Sequence, residues 1–150
     1  MSEKDEIEIV NMSEKHLDRV LAIESASFSD PWTRTMFIGE LRANHTIYLV
    51  AIEGDEVCGY TGGWVVHDEL HITNMAVAPD KRGRGIADLL LDRLICDAIK
   101  SGCEVAYLEV RESNSIAQNL YRKHGFEVLY KRRGYYINPV EDALVMVKRL

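Results

Sequence analysis

Apolar and polar positions change their period along the chain, and each change marks an element. Residues 7–12 alternate like a short strand. Ser13 stands where a helix cap belongs, ahead of Leu17, Val20, Leu21 and Ile23 near helical spacing. Ser29-Asp30-Pro31 breaks that pattern, and Thr33 is placed to cap a second short helix with Met36, Phe37 and Leu41 on one face, ending near Asn44 or His45. Residues 46–53 and 57–66 read as strands joined at Gly54-Asp55, which makes a hairpin the simplest connection. A strand over 70–78 stops at Pro79-Asp80. From about Arg84 to Lys100 the apolar residues Ile86, Leu90, Leu94 and Ala98 recur at every fourth position, Leu89, Ile95 and Ile99 widen that helical face, and Gly102 follows as a helix terminator. Residues 105–110 form another strand, 115–123 a short helix ending at His124-Gly125, and 126–131 a strand. A last hairpin through Tyr135, Tyr136, Asn138 and Pro139 leads into 143–147.

The order is β, α, α, β, β, β, α, β, α, β, β. It implies an α/β class of mixed, α+β character, with helices on both faces of one sheet. The alternation is not regular, which argues against a Rossmann sheet. No internal repeat, low-complexity tract or linker interrupts the pattern, so residues 1–150 are expected to form a single domain.

Composition narrows the classes. With 47% hydrophobic and 28% charged residues the chain can bury a core without being fibrous or disordered. No apolar run approaches the roughly 20 residues that span a bilayer, and the opening MSEKDEIEIV is acidic, unlike a secretory leader; the expected compartment is the cytoplasm, with no membrane partner. A formal net charge of −6 argues against nucleic-acid binding and suits steering of a cationic acceptor as well as plain solubility. Cys58, Cys96 and Cys103 form no CxxC pair and read as reduced, mostly core thiols.

The richest chemistry lies in residues 72–87, ITNMAVAPDKRGRGIA, a strand followed by a turn and a helix start. Gly83 and Gly85 let the backbone approach a ligand closely, the first N–H groups of the helix lack internal partners, and the dipole is positive there. Such a segment cradles a diphosphate, and Arg82 and Arg84 can add charge-assisted hydrogen bonds.

Arg82-Gly83-Arg84-Gly85-Ile86-Ala87 resembles the acetyl-CoA motif Q/R-x-x-G-x-G/A of the GNAT superfamily of N-acetyltransferases. Ala87 stands where many members have glycine and stays within the permitted set. Phe28-Ser29-Asp30-Pro31-Trp32, His71 through Val77, Leu108 through Asn114, and Tyr135-Tyr136 with Glu141-Asp142-Ala143 extend the resemblance over nearly the whole chain. These segments look most like the branch that acetylates the N-terminal alanine of a small-subunit ribosomal protein.

The resemblance implies a GNAT fold: a central, mostly antiparallel seven-stranded sheet, about four helices on its two faces and a splayed acetyl-CoA cleft. It implies acetyl-CoA as cosubstrate, no metal, the N-terminal peptide of a ribosomal protein as acceptor, and a monomer or weak dimer. Backbone groups of Met75, Ala76 and Val77 are expected to bind the pantetheine arm and the acetyl carbonyl. Arg82, Gly83, Arg84, Gly85, Ile86, Ala87 and Asp88 should surround the diphosphate, with Asn114 hydrogen-bonded to the cofactor. Glu109 takes the place of the base and Tyr121 that of the general acid. Chemically, an α-amine of reference pKa ~8 needs help to lose a proton, and a phenol of reference pKa ~10 still holds one to give a departing thiolate.

Phe28, Asp30 and Trp32 are expected on one wall of a peptide groove and Tyr135 and Tyr136 on the other, where rings pack an extended terminus. Core packing is the competing role for Phe28 and Trp32. From the residues alone Glu109 also reads as a solvated strand glutamate and Tyr121 as a packing residue beside Leu120. His71 and Glu69 are rival or auxiliary bases. His16, His45, His67 and His124 lack metal-ligand spacing, and Lys131-Arg132-Arg133 reads as a solvated strand end. Two other functions fit the cofactor motif: acetylation of lysines or small amines, and a CoA-binding module without catalysis.

Overall fold

The computed structural model describes residues 6–150; residues 1–5, the start of the acidic opening, lie outside the described residues. Strands β1 (Glu8–Asn11), β2 (Thr46–Glu53), β3 (Glu56–Val66), β4 (Glu69–Val77), β5 (Val105–Arg111), β6 (Glu127–Ile137) and β7 (Val140–Arg149) build one seven-stranded sheet in the order β1-β2-β3-β4-β5-β7-β6. Every neighbouring pair is antiparallel except β4 and β5, which run parallel. The helices are α1 (Leu17–Ser27), α2 (Arg34–Arg42), α3 (Ile86–Lys100) and α4 (Ser115–Lys123). The expected element order and fold class are what the structure contains. Among the described residues no helix is long and apolar enough to cross a membrane.

Alternation along the strands makes two cores, one on each face. Tyr48, Val50 and Tyr60 turn toward Leu17, Val20 and Ile23 of α1 and Phe37 of α2. Leu49, Ala51, Leu70, Ala106 and Leu108 turn toward Ile86, Leu90, Leu91, Leu94 and Ala98 of α3 and Tyr121 of α4. Thr33 caps α2 as expected, its hydroxyl accepting from the Met36 N–H at 3.2 Å. Ser13 instead opens a short 3-10 turn, Glu14–His16, where His16 Nδ1 accepts from the Ser13 N–H at 3.0 Å before α1 begins.

The face of α3 differs from the expected one. Leu91 belongs to the buried stripe, whereas Leu89 and Ile99 are exposed. At about 100° per residue, Leu89 falls roughly 120° and Ile99 roughly 160° from the centre of the stripe set by Ile86, Leu90, Leu94 and Ala98. Leu94 is fully buried in that stripe, so Leu94→Ala is expected to lower the unfolding free energy by about 2–5 kcal/mol in urea titrations at unchanged slope. The last hairpin is longer than expected. β6 is an exposed edge strand carrying Lys131, Arg132 and Arg133, with register irregularities after Val128 and Arg132, so no clean alternation marks its length.

Candidate active site

The parallel pair β4 and β5 stays together only from Glu69, Leu70 and His71, opposite Val105, Ala106 and Tyr107. Beyond His71 the two strands diverge. A bulge at the same place moves β4 against β3, because Gly62 faces Asn74 while Gly63 faces Ile72. Thr73, the extra residue, donates its hydroxyl to the Gly62 carbonyl and shares a 2.9 Å hydrogen bond with Tyr48 Oη. The bulge is thereby tied to the sheet. Gly62 is required there, since a Cβ would lie 2.0 Å from the Tyr48 ring.

Splaying leaves one edge of β4 without a strand partner. The Ala78 N–H donates to the Cys58 carbonyl on β3 at 2.7 Å, and Asn74 O accepts from Thr61 Oγ1 on the same side. Backbone groups alternate sides along a strand, so Met75 and Val77 direct theirs to the open edge, whereas Ala76 faces β3. Of the trio expected to meet the pantetheine, Ala76 therefore supplies spacing and burial rather than free N–H and C=O groups. The Val77 carbonyl on the open edge accepts from Arg82 Nε at 3.2 Å.

Past the end of β4, Gly83 and Gly85 both have φ of +81°. That left-handed conformation favours glycine. No atom lies within 4 Å of a Cβ built at Gly83, and Gly85, the N-cap of α3, has no side chain to cover the first N–H groups of the helix, as an anion cradle needs. Arg84 grips Glu53 with two hydrogen bonds of 3.0 and 2.7 Å, and Lys81 adds one of 3.2 Å. Arg84 first, then Lys81, hold the Glu53 carboxyl down at about 2. Those side chains anchor the loop to β2, and the cradle itself is main chain. Asp88 accepts from Lys123 at 2.8 Å and from His124 at 2.7 Å, and these contacts hold its carboxyl below the usual range. It fastens α3 to the end of α4.

The diverging strands open a cleft of about 410 Å³ lined, among others, by Phe28, Asp30, Trp32, Met75, Glu109, Asn114, Tyr121 and Tyr136. The residues of the Gly83 loop lie outside that lining, beyond the end of β4. Glu109 on β5 is opposite Val145 of β7, and its Oε2 lies 4.0 Å from Arg132 Nη1. Tyr121 is 7% exposed and packs edge-on to Phe126 at 5.7 Å. Burial first, then neighbouring Tyr136, push its phenol above the usual value. Burial, Tyr135 and Glu109 push Tyr136 up to about 12. Asn114 caps α4, its Oδ1 accepting from the Ala117 N–H at 3.1 Å.

The two groove walls meet through hydrogen bonds. Ser29 Oγ donates to the Asn138 carbonyl, and Asn138 Nδ2 donates to Asp30 at 3.3 Å. Trp32 serves both expected roles, lining the cleft while packing 5.2 Å from Phe37 and 6.5 Å from Tyr48. Tyr135 stands outside the lining, edge-on to Tyr136 at 5.0 Å with Arg132 over its own ring at 4.5 Å. Arg111 covers Tyr136 at 4.2 Å. His71 and Glu69 are not part of the cleft lining; they pair at 2.9 Å, with His71 stacked on Tyr107. Burial raises the Cys58 and Cys103 thiols above their usual values, away from nucleophilic thiolate character.

Sequence reasoning missed Glu24, which also lines the cleft. It is 2% exposed and accepts from Tyr60 Oη, from the Trp32 N–H at 2.9 Å and from Asn74 Nδ2 at 3.5 Å. The available signal was a carboxylate four residues after Val20, on the apolar face of α1.

Residues 17–126 match the Acetyltransferase (GNAT) family. The chain is 37% identical over 144 residues to a protein of Bacillus subtilis named as a putative ribosomal protein bS18 alanine N-acetyltransferase, covering 95% of each. It is 38% identical over 121 residues to the N-alpha-acetyltransferase RimI of Mycobacterium tuberculosis, covering 78% of this chain and 75% of the relative. The crystal structure of the ribosomal-protein-S18-alanine N-acetyltransferase from Escherichia coli superposes with a TM-score of 0.88 at 29% identity, over 96% of this chain and 94% of that one. With its splayed β4 and β5 and its glycine cradle ahead of α3, the chain belongs to the GNAT family of acetyltransferases.

Proposed function

We propose that this chain is an acetyl-CoA-dependent protein N-terminal α-amino acetyltransferase whose acceptor is the N-terminal alanine of ribosomal protein bS18. The observation that carries the reading is the placement of Glu109 and Tyr121 on one cleft with the open edge of β4 and an aromatic wall on the opposite side. The names of the Bacillus subtilis relative and of the Escherichia coli structure supply the acceptor.

Acetyl-CoA supplies the acetyl group as a thioester. The N–H groups of Gly83 through Asp88 bind its diphosphate, those of Met75 and Val77 take the pantetheine and the carbonyl oxygen, and the Asn114 amide adds a hydrogen bond. A donor aimed at a carbonyl oxygen as it gains charge is worth about 3 kcal/mol. Glu109, directly or through one water, takes a proton from the acceptor amine. As the N–C bond forms and the C–S bond breaks, Tyr121 gives its proton to the sulfur and the nitrogen releases its second proton to water. The products are the acetylated terminus and the free thiol. Solvent returns both side chains to their starting states, and no side chain carries the acetyl group.

Gly85→Val forces a β-branched residue to φ of +81° at the cradle. Its expected effect is a rise of roughly tenfold or more in the KM for acetyl-CoA with little change in the KM for peptide; equal KM values for acetyl-CoA would remove the loop from the binding site. The acceptor is tested by mass-spectrometric mapping of transfer to a peptide that begins with alanine and contains a lysine, beside the same peptide with a blocked α-amine. Modification confined to the free α-amine is expected. Modification of the lysine in the blocked peptide would assign the chain to side-chain or small-amine acetylation, and no transfer to either peptide would make it a CoA-binding module.

A further inference from the structure

We propose that the oxygens of Glu24, Asn74 and Ser27 form a subsite that grips the acceptor's terminal ammonium before transfer, an inference that rests on the α-amine reading above. All three line the cleft. Two of them are incomplete in the protein alone: Asn74 Oδ1 and Ser27 Oγ are buried without a hydrogen-bond partner among the described residues. Asn74 is 6% exposed, and its Nδ2 is committed to Glu24, which leaves its oxygen as the unpaired atom. Buried polar atoms of native folds nearly always have a partner, so two without one among the lining residues of a single cleft call for a ligand or a water to complete them.

The charge of Glu24 points the same way. Its three donors, Tyr60 Oη, the Trp32 N–H and Asn74 Nδ2, are all neutral, and among the described residues no lysine, arginine or histidine pairs with it. A carboxylate offers about four lone-pair sites, so one remains. The subsite presents a negative charge, an amide oxygen and a hydroxyl oxygen, and its missing element is a compact cation with several N–H donors and no acceptor. A terminal −NH3⁺ has that composition. A backbone amide brings a single donor, and a guanidinium is planar and larger.

The subsite also sorts amines. Stabilising the ammonium raises its pKa, and Glu109 must then remove a proton against that pull. An α-amine, with a reference value near ~8, still yields; a lysine ε-amine, near ~10.4, is held protonated and unreactive. Glu24 therefore holds the charged amine and Glu109 takes its proton, so these two carboxylates have separate tasks.

The test measures binding in the presence of CoA, which permits no transfer, using an alanine-beginning peptide and its des-amino analogue with hydrogen in place of the α-amine. Wild type is expected to bind the amine form about tenfold to a hundredfold more tightly, the worth of a charge-assisted hydrogen bond. Glu24→Gln should abolish most of that preference and Ser27→Ala reduce it severalfold, with the KM for acetyl-CoA unchanged in both. Ser27→Ala removes an atom that has no partner, so its melting temperature should stay level or rise, and it decides the matter even where Glu24→Gln folds poorly. Equal wild-type affinity for the two peptides, or a preference that survives Ser27→Ala undiminished, overturns the subsite. Acetylation by the same wild-type sample separates the two ideas: active enzyme with equal affinities overturns the subsite alone, and protein that neither binds nor acetylates the peptide overturns the α-amine reading with it.

Discussion

Tyr121→Phe is expected to bind acetyl-CoA normally and to lose about 10²-fold or more in kcat. The ring already fills its place against Phe126 at 5.7 Å, so phenylalanine preserves the packing and removes only the hydroxyl. General acid catalysis contributes roughly 10²–10⁴-fold, which sets the size of the loss. The direction of the phenol's shift adds a pH signature. Burial raises its value above the usual ~10, so the proton remains in place throughout neutral and moderately alkaline pH. Wild-type kcat should show no alkaline decline up to about pH 10. A decline centred below pH 9 that Tyr121→Phe abolishes would contradict this assignment, as would a Phe variant with undiminished kcat.

Glu109→Gln should cost a comparable factor at pH 7, and part of that cost should disappear as pH rises. An α-amine free in solution, with a reference pKa near ~8, is about one-tenth neutral at pH 7 and mostly neutral at pH 9, and the subsite inferred above moves that change toward higher pH without removing it. Where the amine sheds its own proton the base has less to do, so the ratio of wild-type to variant rates should narrow by up to about tenfold across that interval. Peptide affinity should change little, since the ammonium is held by Glu24 in the subsite inferred above. A constant ratio from pH 7 to 9, with normal peptide binding, would show that Glu109 serves another purpose. Arg132, 4.0 Å away, is the neighbour through which an electrostatic role would then act.

The elements themselves were legible because their periods are clean. The nearly continuous apolar run of β2 and the four-residue recurrence in α3 are direct consequences of burying two faces or one stripe. The glycine cradle was legible for a similar local reason, since φ of +81° at Gly83 and Gly85 favours that residue type. The cleft was not legible from periodicity. It exists because β4 and β5 part after His71 and because Thr73 is extra in its strand, and neither feature changes which residues are apolar. Only the family resemblance implied it. Ala76 shows the limit of carrying a motif over residue by residue: it sits between Met75 and Val77 in sequence but turns its backbone groups the other way. Glu24 escaped because a glutamate on a helix is read as solvated unless the donors around it, drawn from β3, β4 and the α1–α2 connection, are known. The extent of β6 was hidden by its charged, bulged edge.

Direct transfer requires one cleft to hold the thioester and the peptide terminus together. The direct measurement is a crystal structure of the protein with a bisubstrate conjugate in which CoA is joined through its acetyl carbon to the alanine nitrogen of a bS18 peptide. The expected result has the diphosphate on the N–H groups after Gly83, the carbonyl oxygen within ~3 Å of a Met75 or Val77 N–H, the sulfur beside Tyr121 Oη, and the peptide running between Phe28 and Tyr136 with its nitrogen near Glu109. A conjugate whose peptide arm leaves the cleft elsewhere, or whose sulfur lies beyond hydrogen-bond reach of Tyr121, would contradict it.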